Sequence, residues 1–288
     1  MIVARSPAEL PPAERALALG TFDGVHRGHQ AVIEAVKATG LCSTVLTFDP
    51  HPRLVLGYDV QLLSTLERRI ELIEQMRPDE LLVVEFTQEL SRLEPEEFAA
   101  DYLTAVGAKV VVAGEDFRFG AGRRGDVELL RRLGLDVRPV PLVEGVSSSR
   151  IRELVRAGDL RGAAGLLGRP FELEGDVVYG DRRGGTLGFP TANLAPDPHA
   201  LVPEYGIYAG EALGHRVAAS IGVNPHYGGS ERRIEAFLLD FEGDLYGSRL
   251  RLELWERLRE ERAFASEEEL VAQIAADVEA ARAARRPS

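Results

Sequence analysis

The first half of the chain alternates short apolar runs with amphipathic segments of helical period. The apolar runs predict strands at residues 15–19, 43–48, 81–86, 109–113 and 137–143. Helices are predicted between them, including residues 30–37, 65–76 with Ser64 and Glu67 as a capping box, and 95–106 with proline in the first turn. Strands and helices in alternation are typical of a parallel sheet with helices on both faces.

The pattern changes near Gly168, where short alternating segments separated by Gly and Pro turns begin. They predict strands at residues 171–179, 206–212, 216–223, 234–241 and 249–254. Such a series is typical of a closed antiparallel β-barrel. Ser266 and Glu269 form a second capping box and begin a terminal helix at 267–284. The expected fold class is α/β plus β, with one domain over residues 1–167 and a second over 168–288.

Composition narrows the possible partners. The net charge of −12 argues against broad nucleic-acid binding. No apolar run approaches the roughly 20 residues that span a bilayer, and the N-terminus lacks a secretory leader. The single cysteine, Cys42, excludes an internal disulfide. We expect a cytoplasmic protein with small-molecule substrates and no nucleic-acid or membrane partner, while the oligomeric state stays open.

A glycine-rich turn joins the first strand to the first helix. Such a turn lets the backbone approach an anion, and the helix start adds free N–H groups and a positive dipole end. Two histidines three residues apart can donate to the same anion. The alternative is a tight turn with solvated histidines. The candidate residues are Gly20, Phe22, Asp23, Gly24, His26, Gly28 and His29.

Two more loops fall at the carboxyl ends of predicted strands, where ligands of parallel sheets bind. The segment 47–52 contains Asp49 and Pro50, and its two prolines set a rigid rim. The loop 114–125 contains Asp116 and Phe117. An aromatic side chain there either faces a planar ligand or plugs the domain core.

Three serines open the helix that runs to about residue 156. Hydroxyl groups at a helix N-terminus, with Arg150 and Arg152 close by, suit a chain of phosphates. Capping alone needs only one serine. Ser148, Ser149 and Arg152 are therefore candidate phosphate ligands.

The segment 180–193 carries the strongest motif of the chain. Its glycines expose backbone N–H groups in a loop able to wrap phosphates. Thr191 and Asn193 point to the same side of an extended segment, and their oxygens suit Mg²⁺ held with nucleotide phosphates. The candidate residues are Gly180, Arg182, Gly188, Pro190, Thr191 and Asn193.

These motifs resemble two known enzyme modules. The His26-x-Gly-His29 turn is similar to the HxGH motif of nucleotidyltransferases, and the flanking Gly20-Thr-Phe-Asp-Gly24 resembles the FMN adenylyltransferase part of bacterial FAD synthetases. The Pro190-Thr-Ala-Asn193 segment resembles the riboflavin kinase module, and the resemblance continues to the C-terminus. The family resembled is the bifunctional riboflavin kinase and FMN adenylyltransferase, with a Rossmann-like nucleotidyltransferase domain followed by a barrel.

The resemblance implies a role for each candidate. His26 and His29 would stabilise charge on the α-phosphate of ATP, while Ser148, Ser149 and Arg152 hold its phosphates. Asp49, Pro50, Asp116 and Phe117 would form a flavin or nucleotide loop. In the barrel, Thr191 and Asn193 would hold Mg²⁺ with ATP, and Glu235 would be the base that accepts the riboflavin hydroxyl proton. ATP, riboflavin, FMN and FAD are the implied substrates and products.

One departure from the family concerns Gly185, which stands where relatives carry a basic residue. A lost cation would weaken ATP binding, although Arg182 and Arg183 lie close enough in sequence to replace it. Two rival interpretations are a tRNA- or lipid-directed nucleotidyltransferase and a non-catalytic flavin or nucleotide sensor. The second-domain motif and acidic charge disfavour the first rival. A pure sensor would not need the intact Glu235.

Overall fold

The computed structural model of the chain describes residues 1–180, 189–223 and 232–287. Packing divides the chain into two units. The first unit contains residues 1–60 and 66–147, and the second contains residues 61–65 and 148–288. No helix within the described residues has the length and apolar character that crossing a membrane requires.

The first unit is built on a six-stranded parallel sheet in the order β1-β4-β3-β2-β5-β6. Its strands are β1 (Ile2–Ala4), β2 (Arg15–Leu19), β3 (Cys42–Asp49), β4 (Glu80–Glu85), β5 (Ala108–Gly114) and β6 (Asp136–Val140). The predicted parallel sheet is confirmed. The three-residue β1 is too short for a periodic pattern and escaped prediction, and β6 ends three residues earlier than expected.

Helices cover both faces of this sheet. They are α1 (Arg27–Lys37), α2 (Pro52–Val55), α3 (Leu66–Gln75), α4 (Pro95–Phe98) and α5 (Val127–Arg132). Alternate residues of β2 enter different cores: Ala16 and Ala18 pack in the cluster that contains α1 and α3 residues, whereas Leu17 and Leu19 pack in the cluster that contains α4 and α5 residues. The period-two geometry of a strand thus gives the sheet two apolar faces.

The helix predicted at 95–106 is present over residues 95–104, but its second half is π-helical rather than α-helical. After Phe98 the chain continues as a π-helical turn over Ala99–Thr104, in which the Ala105 N–H donates to the Ala100 carbonyl. A wider turn brings residues five apart onto one face. Phe98 and Leu103, which have that spacing, are both buried in the same core, so packing overrides the ordinary helical period.

A buried ion pair locks the amino-terminal edge of the sheet. Arg15 and Glu80 are both 2% exposed, and the guanidinium donates to both carboxylate oxygens at 2.6 and 2.9 Å. The Thr44 hydroxyl donates to the same carboxylate at 2.7 Å. Burial raises the pKa of Glu80, but hydrogen bonds from Arg15 and Thr44 outweigh it, so the pKa lies below its usual value. The first residues of β2 and β4 are therefore held together, with β3 between them.

The second unit is a closed six-stranded antiparallel barrel, as predicted, in the order β10-β11-β8-β7-β12-β9 with β9 paired to β10. Its strands are β7 (Phe171–Val178), β8 (Ala192–Pro196), β9 (Gly206–Ala212), β10 (His215–Val223), β11 (Arg232–Leu238) and β12 (Arg249–Arg259). β8 is absent from the strands predicted above, and β12 extends five residues beyond its predicted end.

Among the described residues of the second unit, three helices accompany the barrel: α6 (Ser148–Arg156), α7 (Leu160–Leu167) and α8 (Glu267–Ala283). Residues of α6 and α7, such as Ile151 and Leu167, share one core with the barrel strands. Helix α8 begins at Ser266, whose hydroxyl accepts from the Glu269 N–H, and its Ala281 packs on the buried Trp255. Packing thus places α6 and α7 with the barrel, while the functional boundary at 167/168 stays a prediction.

The buried pair gives the first prediction. Glu80→Gln keeps the side-chain size but leaves the Arg15 cation without its counterion, so we expect a loss of about 3–5 kcal/mol in the unfolding free energy of the first unit. In the wild type, ionised Glu80 contributes its full stabilisation at pH values above the pKa that it has in the unfolded chain. This stabilisation is lost as the pH falls through the lower pKa of the folded protein. The difference in unfolding free energy between the wild type and Glu80→Gln therefore narrows in acid. Urea unfolding followed by circular dichroism measures both effects.

Two controls accompany this measurement. Trp255 is the single tryptophan and belongs to the second unit, so its fluorescence transition should not move. Arg131→Met breaks the exposed pair with Glu128 and should cost under about 1 kcal/mol. Equal shifts for Glu80→Gln and Arg131→Met would contradict a locking role for the buried pair.

The shared core of α6, α7 and the barrel gives a second prediction. A fragment of residues 168–288 lacks five core side chains that a fragment of residues 148–288 retains: Ile151, Val155, Leu160, Ala163 and Leu167. Loss of each large apolar contact costs about 2–5 kcal/mol. We therefore expect the shorter fragment to melt at least about 10 °C lower, measured by Trp255 fluorescence. Coincident melting curves would contradict the shared core.

Candidate active sites

The glycine-rich turn links β2 to α1 through an unusual backbone. Phe22, Gly24 and Val25 have φ values of 50°, 78° and 40°, in the left-handed region that costs a non-glycine residue of order 1–3 kcal/mol. The side chains of Phe22 and Val25 are buried with Ile33 of α1. Burial of these two apolar groups holds the strained turn in place.

The two histidines meet at the start of α1. His26 is the N-cap residue, and its Nδ1 accepts the backbone N–H of His29 at 3.2 Å. The two imidazole rings stack with centroids 3.6 Å apart and an angle of 12°. Because Nδ1 of His26 accepts a hydrogen bond, we assign the proton of the neutral ring to Nε2.

The His29 imidazole is neutral near physiological pH. Its pKa is lowered well below the usual value, chiefly by burial, then by His26 and by the Arg69 cation. Its Nδ1 atom is buried and finds no hydrogen-bond partner among the described residues. A proton there would lack an acceptor, so the tautomer protonated at Nε2 is favoured.

The second predicted loop lies beside the turn. The Thr21 carbonyl accepts from the Thr47 hydroxyl at 3.0 Å and from the Arg69 guanidinium at 2.8 Å. Arg69 also reaches the Asp49 carboxylate at 3.4 Å. The peptide bond between Asp49 and Pro50 is cis. The structure thus brings Thr21 of the turn and Asp49 of the β3 end to one guanidinium.

The two candidate residues in the loop after β5 differ in their exposure to solvent. Asp116 is exposed, with Oδ1 close to Gly114, where an added Cβ would lie 3.1 Å away. Phe117 is partly buried against the core cluster of one sheet face and stacks on Phe119 with centroids 5.7 Å apart. The core-plugging alternative for Phe117 agrees with this placement. A ligand contact by either residue remains a prediction.

The serine-rich segment opens α6 as predicted. Ser148 and Ser149 are its first residues, and Arg152 is buried, with its Nε donating to the Gln61 carbonyl at 2.6 Å. This helix packs within the second unit, whereas the paired histidines belong to the first. The joint action of these residues on one phosphate chain stays a prediction.

The barrel brings three strands together at the second candidate site. Glu235 of β11 pairs in register with Asn193 of β8 on one side and with Ser220 of β10 on the other. Directly paired residues in an antiparallel sheet point to the same face. A Cβ added to Gly180 would lie 2.3 Å from the Asn193 amide nitrogen, so a larger residue at position 180 would require the Asn193 side chain to move.

Thr191 and Glu235 line the same pocket, of about 310 Å³. Its apolar wall includes Phe237 and Phe264, and α8 supplies residues such as Val278. Arg259 at the end of β12 forms an ion pair of 2.7 Å with the largely buried Asp277 of α8, which holds the helix against this wall. Pro190 is exposed directly before Thr191, whereas Arg182, Gly185 and Gly188 lie outside the described residues.

Several residues at these sites escaped the sequence analysis. Glu261 lies over Gly222 and accepts the Val223 N–H, and burial raises the pKa of its carboxyl. Nothing local in the sequence marks that contact. Arg69 did leave a signal, because it precedes the buried Leu72 and Ile73 by three and four residues and so lies on the apolar face of α3.

The comparisons with known proteins match both halves of the chain. Residues 9–151 match the FAD synthetase family, and residues 167–285 match the riboflavin kinase family. A bifunctional riboflavin kinase/FMN adenylyltransferase from Listeria monocytogenes is 37% identical, and the match covers 93% of this chain and 92% of the relative. The enzyme of the same name from Escherichia coli K12 is 36% identical, and the match covers 94% of this chain and 92% of that relative.

A solved structure is similar over the whole length. It is described as a macrolide-efflux protein from Streptococcus pneumoniae, has a TM-score of 0.89 and 31% identity, and covers 99% of both chains. The likeness concerns architecture. With two family matches along its length and relatives above one-third identity over nearly all of it, the chain belongs to the family of bifunctional riboflavin kinase/FMN adenylyltransferases.

Proposed function

We propose that the chain makes FAD from riboflavin in two steps. The barrel transfers the γ-phosphate of ATP to the 5′-hydroxyl of riboflavin and releases ADP. The N-terminal domain then joins the FMN phosphate to the AMP part of a second ATP and releases pyrophosphate. The observation that carries this proposal is the pairing of Glu235 with Asn193, with Thr191 and Glu235 in one pocket.

Glu235 suits the role of general base in the kinase step. Its neighbours in β11, Ile234 and Ala236, point into the barrel core, so strand alternation turns Glu235 to the outer face and the pocket. There it would accept the proton of the ribityl hydroxyl as that oxygen attacks the γ-phosphorus and the bond to ADP breaks. Base catalysis requires hydrogen-bonding reach to that hydroxyl.

Thr191 and Asn193 suit Mg²⁺ carried with ATP. Both are partly exposed oxygen-bearing residues that alternate with the buried Ala192 and Leu194. The Gly180 backbone lies directly beside the Asn193 amide, so a side chain at position 180 would displace that amide. When bound, Mg²⁺ neutralises phosphate charge. The Thr191 hydroxyl and the side-chain amide oxygen of Asn193 would hold the Mg²⁺ beside the γ-phosphate.

The pocket wall suits a flavin. A planar aromatic ring gains most from apolar and aromatic walls with few polar groups. Phe237 and Phe264 provide such walls, and Glu235 lies in the same pocket. A riboflavin ring placed against the two phenylalanines would leave its ribityl chain for Glu235 and Thr191.

In the adenylyl transfer, the histidines act by donating hydrogen bonds rather than by forming a covalent intermediate. An FMN phosphate oxygen attacks the α-phosphorus of ATP, and the bond to pyrophosphate breaks. Neutral rings of His26 and His29, protonated at Nε2, would donate to the oxygens on which charge grows. Such donors supply most of the catalysis in phosphoryl chemistry. Ser148, Ser149 and Arg152 would hold the outgoing phosphates.

The rival functions lack a supporting observation of this kind. A non-catalytic flavin sensor has no use for a carboxylate such as Glu235, which lies in register with Asn193 and lines the same pocket as Thr191. A tRNA-directed transferase fits poorly with a net charge of −12. Our proposal includes a cytoplasmic location and small-molecule substrates only. Incubation of the protein with riboflavin and Mg-ATP, followed by chromatography, tests it: FMN and FAD should both appear, and absence of both products would refute it.

Replacement of His29 tests the first site. In His29→Ala a donor to the α-phosphate is lost, so FAD formation from FMN should fall about 10²–10³-fold, the scale of one oxyanion-hole donor. Riboflavin phosphorylation, measured on the same preparation, should not change. A parallel loss of both activities would point to misfolding instead.

Replacement of Glu235 tests the second site. Glu235→Gln keeps the size of the side chain but cannot accept the hydroxyl proton, so kcat for FMN formation should fall about 10²–10⁴-fold. KM for ATP should change little, because Thr191 and Asn193 are intact. FAD formation from supplied FMN serves as the control and should persist. Near-normal kinase turnover would remove Glu235 from the mechanism.

A further inference from the structure

Arg69 of α3 is a buried arginine that the mechanism above does not use. It is 4% exposed. One terminal nitrogen donates to the Thr21 carbonyl at 2.8 Å, and the other lies 3.4 Å from the Asp49 carboxylate. Its Nε atom is buried and has no hydrogen-bond partner among the described residues. Buried donors are normally satisfied, so this exception calls for an explanation.

Arg15 shows how this chain satisfies a buried arginine that serves only the fold. Its guanidinium forms two short bonds with Glu80 and donates to the Val106 carbonyl at 2.6 Å. That pair lies at the amino-terminal edge of the sheet. Arg69 contacts residues at the opposite, carboxyl edge, where the glycine-rich turn begins, and its one described carboxylate contact is longer. The two arginines therefore differ in both location and pairing.

The positive charge of Arg69 acts on His29, next to the glycine-rich turn. Burial lowers the pKa of Arg69, while the carboxylates of Asp23 and Asp49 raise it. The guanidinium nevertheless stays protonated, as in proteins generally. After burial and His26, its charge is the third cause that lowers the pKa of His29. One side chain thus contacts the turn, contacts the β3 end and acts on the histidine through space.

We propose that Arg69 is a positioning residue of adenylyl transfer, which ties Thr21 to Asp49 and fixes the state in which His29 meets the α-phosphate. The inference rests on the adenylyl-transfer function proposed above. The charged groups around His29 that bear on it are His26, which stacks on the ring, and Arg69. Asp23, Asp49 and Glu67 act in turn on Arg69. With the cation in place, His29 stays neutral and its Nε2–H remains available to the phosphate.

The test uses the full-length protein and three substitutions. Arg69→Met removes the charge and both contacts, and Arg69→Lys keeps a cation. Arg68→Met is the matched control, because Arg68 is the neighbouring buried arginine and pairs with Glu71 of its own helix at 2.8 Å. FAD formation from FMN is measured beside riboflavin phosphorylation. The titration of His29 is followed by NMR of ¹⁵N-labelled histidine, with His29→Gln for assignment.

We expect Arg69→Met to lower kcat for FAD formation about 10²-fold, the scale of a lost preorganising group, with kinase activity unchanged. The kcat of Arg69→Lys should be about tenfold higher than that of Arg69→Met, because lysine restores the positive charge but not the guanidinium contacts. Arg68→Met should leave kcat for FAD formation within about threefold of wild type, because the Arg68 guanidinium pairs with Glu71 of its own helix. Removal of a nearby positive charge favours the protonated imidazole, so the His29 pKa should rise in Arg69→Met and not in Arg68→Met.

The proposal is overturned if Arg69→Met and Arg68→Met have equal kcat values, or if the His29 titration is the same in both. Parallel loss of kinase activity would also overturn it, since that result assigns Arg69 a folding role. Should Arg69→Met not fold, Arg69→Gln replaces it with the same expectations. A wild-type protein that makes no FAD would refute the function instead, and the His29 titration would still decide whether Arg69 sets its state.

Discussion

The filled interior of the six-stranded barrel is the constraint on which the second candidate site depends. Alternate residues of every described strand fill that interior, among them Ala192 and Leu194 of β8 and Ile234 and Ala236 of β11. With the interior filled, Thr191 and Glu235, which are proposed for the kinase step, lie among the intervening residues on the outer face. A register slip of one residue would move Glu235 into the core and Ile234 into the site. Fold stability and catalytic geometry are therefore fixed by the same hydrogen-bond ladder.

In the first unit, the residues that stabilise the sheet and the residues of the candidate site lie at opposite ends of the parallel strands. Its amino-terminal edge holds the satisfied Arg15–Glu80 pair, whose bonds leave no role for a ligand. Its carboxyl edge carries left-handed backbone, a histidine nitrogen without a described partner and an incompletely paired guanidinium. Strain of this kind persists only where the surrounding structure holds it in place, and it is common at functional sites.

Local sequence signals predicted much of this structure. The strand Arg15–Leu19, the start of the terminal helix at Ser266 and the glycine-rich turn all depend on neighbouring residues, and all were found at or near their predicted positions. Long-range contacts were beyond such reasoning. The meeting of Arg69 with Thr21, of Glu261 with Gly222 and of Arg259 with Asp277 depends on segments that only the completed fold brings together. The π-helical turn after Phe98 likewise follows from packing rather than propensity.

The position of the single tryptophan has an optical consequence. Trp255 lies beneath α8, the same helix whose Val278 and Asp277 line the pocket beside Glu235, and the Arg216 guanidinium lies 4.3 Å from the centroid of its indole ring. Indole emission overlaps the near-ultraviolet absorption of flavins, so an isoalloxazine ring in that pocket would accept excitation energy from Trp255. The barrel therefore contains its own donor for resonance energy transfer, at a fixed place in the wall of the unit that would bind the flavin.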